Sequence, residues 1–148
     1  MPKQVTCISA LIALVVLAVA GAWAQTGKSS LEGIWVGVSM EMDGEQADAA
    51  LAKRMRFKFE GDVLIIAGNF SDESQAKCSF RLNETASPKH LDFTPEDEKK
   101  PLVGIYERNG RNLKLCIRQG RSDKGRPMEF ITTKDSDLVL MDLVLQMN

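Results

Sequence analysis

The sequence predicts an all-β fold, an antiparallel up-and-down barrel of about eight strands with one short helix, and three observations carry that prediction. Short alternating segments recur roughly every 8 to 15 residues with turn signals between them, which is the pattern of a small barrel or sandwich. Glycine-bearing dipeptides, Asp43-Gly44, Gly61-Asp62 and Asn109-Gly110, fall between those segments. Only one stretch, Glu45 to Lys53 with Ala47, Ala49, Ala50, Leu51 and Ala52, has a helical composition, and it is short enough to be a connection.

Ile34 to Met42 reads as the first strand, ended by Asp43-Gly44. Met55, Phe57 and Phe59 alternate with Arg56, Lys58 and Glu60, so this segment is half buried. Gly61-Asp62 turns the chain into Val63 to Ala67. Further strands are expected at Lys77 to Leu82, Lys89 to Phe93, Leu102 to Arg108, Asn112 to Arg118 and Asp137 to Gln146, with a shorter piece at Met128 to Ile131. Thr94 to Lys100 is polar and reads as a loop.

Turn chemistry then assigns faces. A two-residue turn at Gly61-Asp62 sets Phe57 opposite Ile66 and Phe59 opposite Leu64, leaving Val63 and Ile65 outside beside Lys58 and Glu60. A turn centred on Asn109-Gly110 sets Arg108 against Arg111, Tyr106 against Leu113 and Gly104 against Leu115, with Val103, Ile105, Lys114 and Cys116 on the other face. Cys78 shares the parity of Phe80 and Leu82 and points inward, whereas Cys116 points outward. Two cysteines on opposite sides of a sheet cannot bring their Cα atoms to the ~5.5 Å of a disulfide, so both are expected as free thiols.

Residues 1 to 24 read as a cleavable secretory signal: Lys3 first, an apolar run from Ile8 to Ala20, then Ala22-Trp23-Ala24 before Gln25. The apolar run approaches the length that spans a bilayer, so an uncleaved anchor is the competing reading. Cys7 precedes the run and cannot become a lipid-modified first residue of the mature chain. The expectation is a secreted or periplasmic protein with no stable membrane anchor, consisting of one domain from residue 25 to 148. Lys3 is the only charge the signal removes from 19 basic and 20 acidic residues, and so balanced a chain has no electrostatic footprint for nucleic acid. The local cluster Lys114, Arg118, Arg121, Lys124 and Arg126 is interleaved with Asp123 and Glu129 and reads as a solvated edge.

The strings Leu31-Glu32-Gly33-Ile34-Trp35, Asp43-Gly44, Phe59-Glu60-Gly61-Asp62, Gly104-Ile105-Tyr106 with Asn109-Gly110, Leu113-Lys114-Leu115-Cys116 and Arg126-Pro127-Met128-Glu129-Phe130, in that order, resemble the motifs of an uncharacterised lipocalin-like family abundant in planctomycete bacteria. The resemblance spans residues 31 to about 146 and implies a lipocalin-like barrel; that family carries no assigned activity. Gly33-x-Trp35 also resembles the lipocalin opening motif, whose glycine admits the chain to the barrel and whose indole plugs the closed end. The last strand, Leu138 to Gln146, holds no arginine to stack on that indole.

No catalytic constellation is legible. His90 is the only histidine, and with two cysteines beyond the signal no zinc cluster of ordinary spacing exists. Nucleophile elbow, phosphate loop and paired-histidine motifs are absent from the sequence. The acidic groups Asp72-Glu73 and Glu96-Asp97-Glu98 lie in polar loops, and Asn69-Phe70-Ser71 and Asn83-Glu84-Thr85 match the glycosylation pattern. Neither catalysis nor a cofactor is expected. An eight-stranded barrel has room for side chains or for one small ligand. The candidate lining is Trp35, Phe57, Phe59, Phe80, Tyr106 and Leu115, which suits a small apolar ligand with one polar group held by the Tyr106 hydroxyl. The same six residues could simply fill the core. The second function class is an extracellular protein-interaction or structural domain, or a homo-oligomer, using the outer-face set Val63, Ile65, Val103 and Ile105.

Overall fold

The computed structural model describes residues 28–68, 75–120 and 124–148. The expected signal at residues 1 to 24, the Asn69 and Asp72-Glu73 sites and Arg121 lie outside the described residues. Among the described residues no helix is long and apolar enough to cross a membrane.

The elements run β1 (Gly33–Met42), β2 (Glu45–Gln46), α1 (Ala49–Arg54), β3 (Arg56–Glu60), β4 (Val63–Ala67), β5 (Ala76–Asn83), β6 (Lys89–Pro95), β7 (Leu102–Asn109), β8 (Asn112–Arg118) and β9 (Leu138–Leu145). Every strand pairs antiparallel with its neighbour, and β1 pairs with both β3 and β9, so eight strands close an all-β barrel while β2 adds a two-residue ribbon to the end of β1. Closure removes the unpaired edges an open sheet would expose.

The β3–β4 hairpin has the register expected from Gly61-Asp62: Phe57 opposes Ile66 and Phe59 opposes Leu64. The β7–β8 hairpin does not. Its turn residues are Gly110 and Arg111, Asn109 pairs with Asn112, and Tyr106 faces Leu115 rather than Leu113. In both hairpins glycine stands first in the turn with positive φ, 61° at Gly61 and 59° at Gly110. A turn needing positive φ only at its first central residue places it on glycine, which has no Cβ to clash, and so Gly110 rather than Asn109 opens the turn. The slip is two residues, so every side chain keeps its assigned face.

Two further expectations are corrected. The helix begins at Ala49, not Glu45, because Glu45 and Gln46 extend the sheet and the Asp48 carboxylate caps the helix by accepting the Ala50 N–H at 2.8 Å. Met128 to Ile131 is not a strand. It belongs to the long β8–β9 connection, which docks on the outer surface of the barrel through Phe130. There Phe130 and Leu140 pack on the buried side chains Ile105, Cys116 and Leu138, forming a second small core outside the wall. Arg126 clamps the connection by pairing with the Asp92 carboxylate of β6 and donating to the Gly104 carbonyl of β7 at 2.8 Å. Arg118 donates to the carbonyls of Gly125 and Ser136, and the buried Thr132 hydroxyl accepts the Gly44 N–H while donating to Glu41. Cys116 therefore does point outward, as expected, yet is fully buried.

Inside the barrel the main core joins Leu31, Trp35, Phe57, Phe59, Leu64, Leu91, Tyr106, Leu115 and Leu143. Helix α1 fills the gap where β1 leaves β3, since the β1–β3 pairing ends at Val36 and a bulge follows at Gly37–Ser39. Ala52 of α1 is fully buried, and the Gly37 N–H donates to the Met55 carbonyl at 3.0 Å.

Candidate functional site

One end of the barrel is sealed. The Trp35 indole is buried and its N–H donates to the Leu31 carbonyl at 2.8 Å. The Arg108 guanidinium lies 5.2 Å from the ring centroid and also donates to the carbonyls of Ser30 and Gly110. A cation over an indole face is a favourable electrostatic contact. The cation stacked on the indole thus comes from β7.

Phe59 and Phe80 meet edge to face at 5.1 Å. Tyr106 is buried, and its hydroxyl donates to the Glu84 carboxylate at 3.3 Å, which also accepts from the Ser30 hydroxyl. Burial is the main reason that the Tyr106 phenol titrates above its ordinary range. Leu115 is packed between Tyr106 of β7 and Met141 of β9 by register. The six candidate lining residues therefore belong to one contiguous core. Of the six, Tyr106 and Phe80 each border a shallow pocket on the outside of the barrel, and Phe57 lines the most apolar open space.

That space lies at the opposite end. A cavity of about 470 Å³ is lined by Met40, Met55, Phe57, Ile66, Phe93, Leu102, Ile117, Val139 and Met141, with Arg118, Gln119 and Gly120 at its edge. β1, β3, β4, β6, β7, β8 and β9 each contribute inward residues from the part of the strand near this end, β5 contributes none, and β1 and β9 contribute the directly paired Met40 and Met141. Sequence reasoning chose the bulkiest inward residues and passed over these eight companions of Phe57. The signal that finds them is strand parity combined with direction: Gly33-x-Trp35 marks the sealed end, so inward residues far from it along each strand line the mouth.

The outer-face set is divided. Val63 and Ile65 of β4 are separated from Val103 and Ile105 of β7 by β5 and β6, whose outward residues there include Lys77, Ser79, Asp92 and Thr94. Ile105 is buried beneath Phe130, and the other three are half buried. The basic cluster is likewise committed: Arg118 and Arg126 hold the β8–β9 connection and Lys124 pairs with Asp137 at 3.4 Å. His90 lies on the wall between Asn83 and Ile105. Among the described residues no three His, Cys, Asp or Glu side chains gather as a metal site.

Cys78 and Cys116 are free and buried, and burial pushes each thiol up to about 11 from an ordinary 9.0. Only the thiolate is nucleophilic. The folded protein is expected to resist iodoacetamide at pH 8, whereas urea should expose both thiols to alkylation; rapid labelling of the folded chain would contradict this packing. Because the unfolded chain loses these protons near pH 9 and the folded chain near 11, stability should fall as pH rises through that window.

No family model, curated protein or solved structure matches this chain.

Proposed function

We propose that this protein is an exported, lipocalin-like binding barrel, secreted or periplasmic, that holds one small, mostly apolar molecule in its open end. The observation that carries the reading is the open-mouthed cavity of about 470 Å³, whose lining is aliphatic, aromatic and thioether apart from Arg118, Gln119 and Gly120 at its edge. At the ~30 Å³ that each water occupies in the liquid, such a space equals about fifteen water molecules, which is room for one small organic molecule. Transfer of apolar surface out of water supplies the affinity. A charged group at the floor of the cavity would lack a partner, which costs several kcal/mol or more, so any polar group of the ligand stays at the mouth beside Gln119 and Gly120. This moves the binding residues away from Tyr106, whose hydroxyl is engaged with Glu84 at the sealed end.

The test is a titration with N-phenyl-1-naphthylamine, a neutral apolar dye that brightens when it leaves water. Saturable one-to-one binding is expected. Ile66→Trp places an indole in the cavity from a partly exposed position and should weaken binding at least tenfold, while Tyr106→Phe should leave it unchanged. Absence of saturable binding, or equal binding by Ile66→Trp, would rule the reading out.

A further inference from the structure

Four of the chain's seven methionines converge on the open end of the barrel. Met40, Met55 and Met141 line the cavity itself. Met42 follows Met40 by two residues on β1, shares its face by strand alternation, pairs with Val139 of the cavity wall, and is 36 % exposed at the rim. Met40 and Met141 are direct cross-strand partners with both side chains directed inward. Directly paired residues hold their Cβ atoms ~5 Å apart, within easy reach for two flexible thioether chains. Met55 joins them from the end of α1, where its backbone carbonyl is fixed by the Gly37 N–H.

We propose that the open end binds one soft monovalent cation, Cu(I) or Ag(I), on the thioethers of Met40, Met55 and Met141, with Met42 as the ligand that meets the ion at the rim. Thioether sulfur is a neutral, polarisable donor that selects soft metals and has little affinity for Mg²⁺, Ca²⁺ or Zn²⁺. The cavity lining offers no carboxylate, imidazole or thiolate, and its one charged member, Arg118, spends its guanidinium on the carbonyls of Gly125 and Ser136. That favours a single charge, because desolvation cost grows with the square of the charge and a divalent ion would have no anionic ligand to offset it. Both cysteines lie elsewhere: Cys116 is outside the wall, and Cys78 of β5 is not part of the cavity lining. This inference does not depend on the apolar-ligand reading, since the thioethers can serve either occupant.

Silver(I) nitrate, a redox-inert stand-in for Cu(I), tests the site by native mass spectrometry and calorimetry on the protein from Gln25 onward. One tightly held Ag(I) per chain is expected. The Met40→Leu/Met141→Leu pair keeps the volume and apolar character of the wall, so the fold and dye binding should persist while Ag(I) affinity drops at least a hundredfold. Met128→Leu, on the outer connection, should change nothing. The proposal is overturned if the wild-type chain binds no Ag(I), if the paired variant binds it as tightly, or if Cys78→Ser/Cys116→Ser rather than the methionine pair abolishes binding. Dye binding without Ag(I) binding would sink this proposal and leave the apolar-ligand reading standing.

Discussion

Gly37→Ala should cost about 3 kcal/mol of stability, as much as a severe overpacking mutation, although it adds one methyl group. A Cβ at this position would stand 2.0 Å from the Ala52 carbonyl oxygen and 2.9 Å from its carbon. Neither atom belongs to a flexible side chain. The obstacle is the backbone of α1, held by the Asp48 cap at one end and by the Gly37–Met55 hydrogen bond at the other. Relief requires α1 to lift off the barrel, which exposes Ala52 and unseats Met55 from the cavity. Urea denaturation of the variant checks the magnitude, and a loss below about 1 kcal/mol would mean that α1 does not rest on Gly37.

Trp35→Ala should be the more damaging change, by about 3 to 5 kcal/mol, because it removes the largest side chain of the sealed end and leaves a cavity that rigid strands cannot close. Such a loss is a large share of the ~5 to 15 kcal/mol that holds a domain together, so the variant is expected to be largely unfolded at 37 °C. Trp35→Phe separates the contributions. It keeps an aromatic ring against Arg108 but leaves the buried Leu31 carbonyl without its donor, for a loss of about 1 to 3 kcal/mol. If Trp35→Phe melts with the wild type by circular dichroism, the indole N–H bond to Leu31 contributes nothing.

Much of this architecture was legible in the sequence because strand alternation and glycine turns are local signals. Phe57 and Phe59 could be paired with Ile66 and Leu64 from a dipeptide, and the pairing is as expected. The β7–β8 register was missed by two residues because Asn109-Gly110 admits two frames, and only the glycine's place in the turn separates them. The helix start was missed because Ala47 and Glu45 have helical propensity, whereas pairing with β1 and the Asp48 cap decide the outcome. Least legible was the β8–β9 connection. Its apolar residues Met128, Phe130 and Ile131 mimic a strand, but only Phe130 packs, while Met128 is 83 % exposed. The candidate site was half legible for the same reason: inward parity is local, but which inward residues border empty space depends on which end of the barrel is plugged.

The clamped connection makes the barrel mechanically lopsided. The wall formed by β7, β8 and β9 has apolar packing on both surfaces, Leu113, Leu115 and Met141 within and Ile105, Cys116 and Phe130 without. Among the described residues no second core covers the wall formed by β3, β4 and β5, whose outer side carries half-buried Val63 and Ile65 and water-facing Glu60, Lys77, Ser79 and Arg81. Local opening follows the fewest buried contacts. Local opening is therefore expected to be easier in β3 to β5, next to Phe57 and Ile66, than in the wall backed by Phe130, and amide hydrogen exchange would read it as faster exchange there.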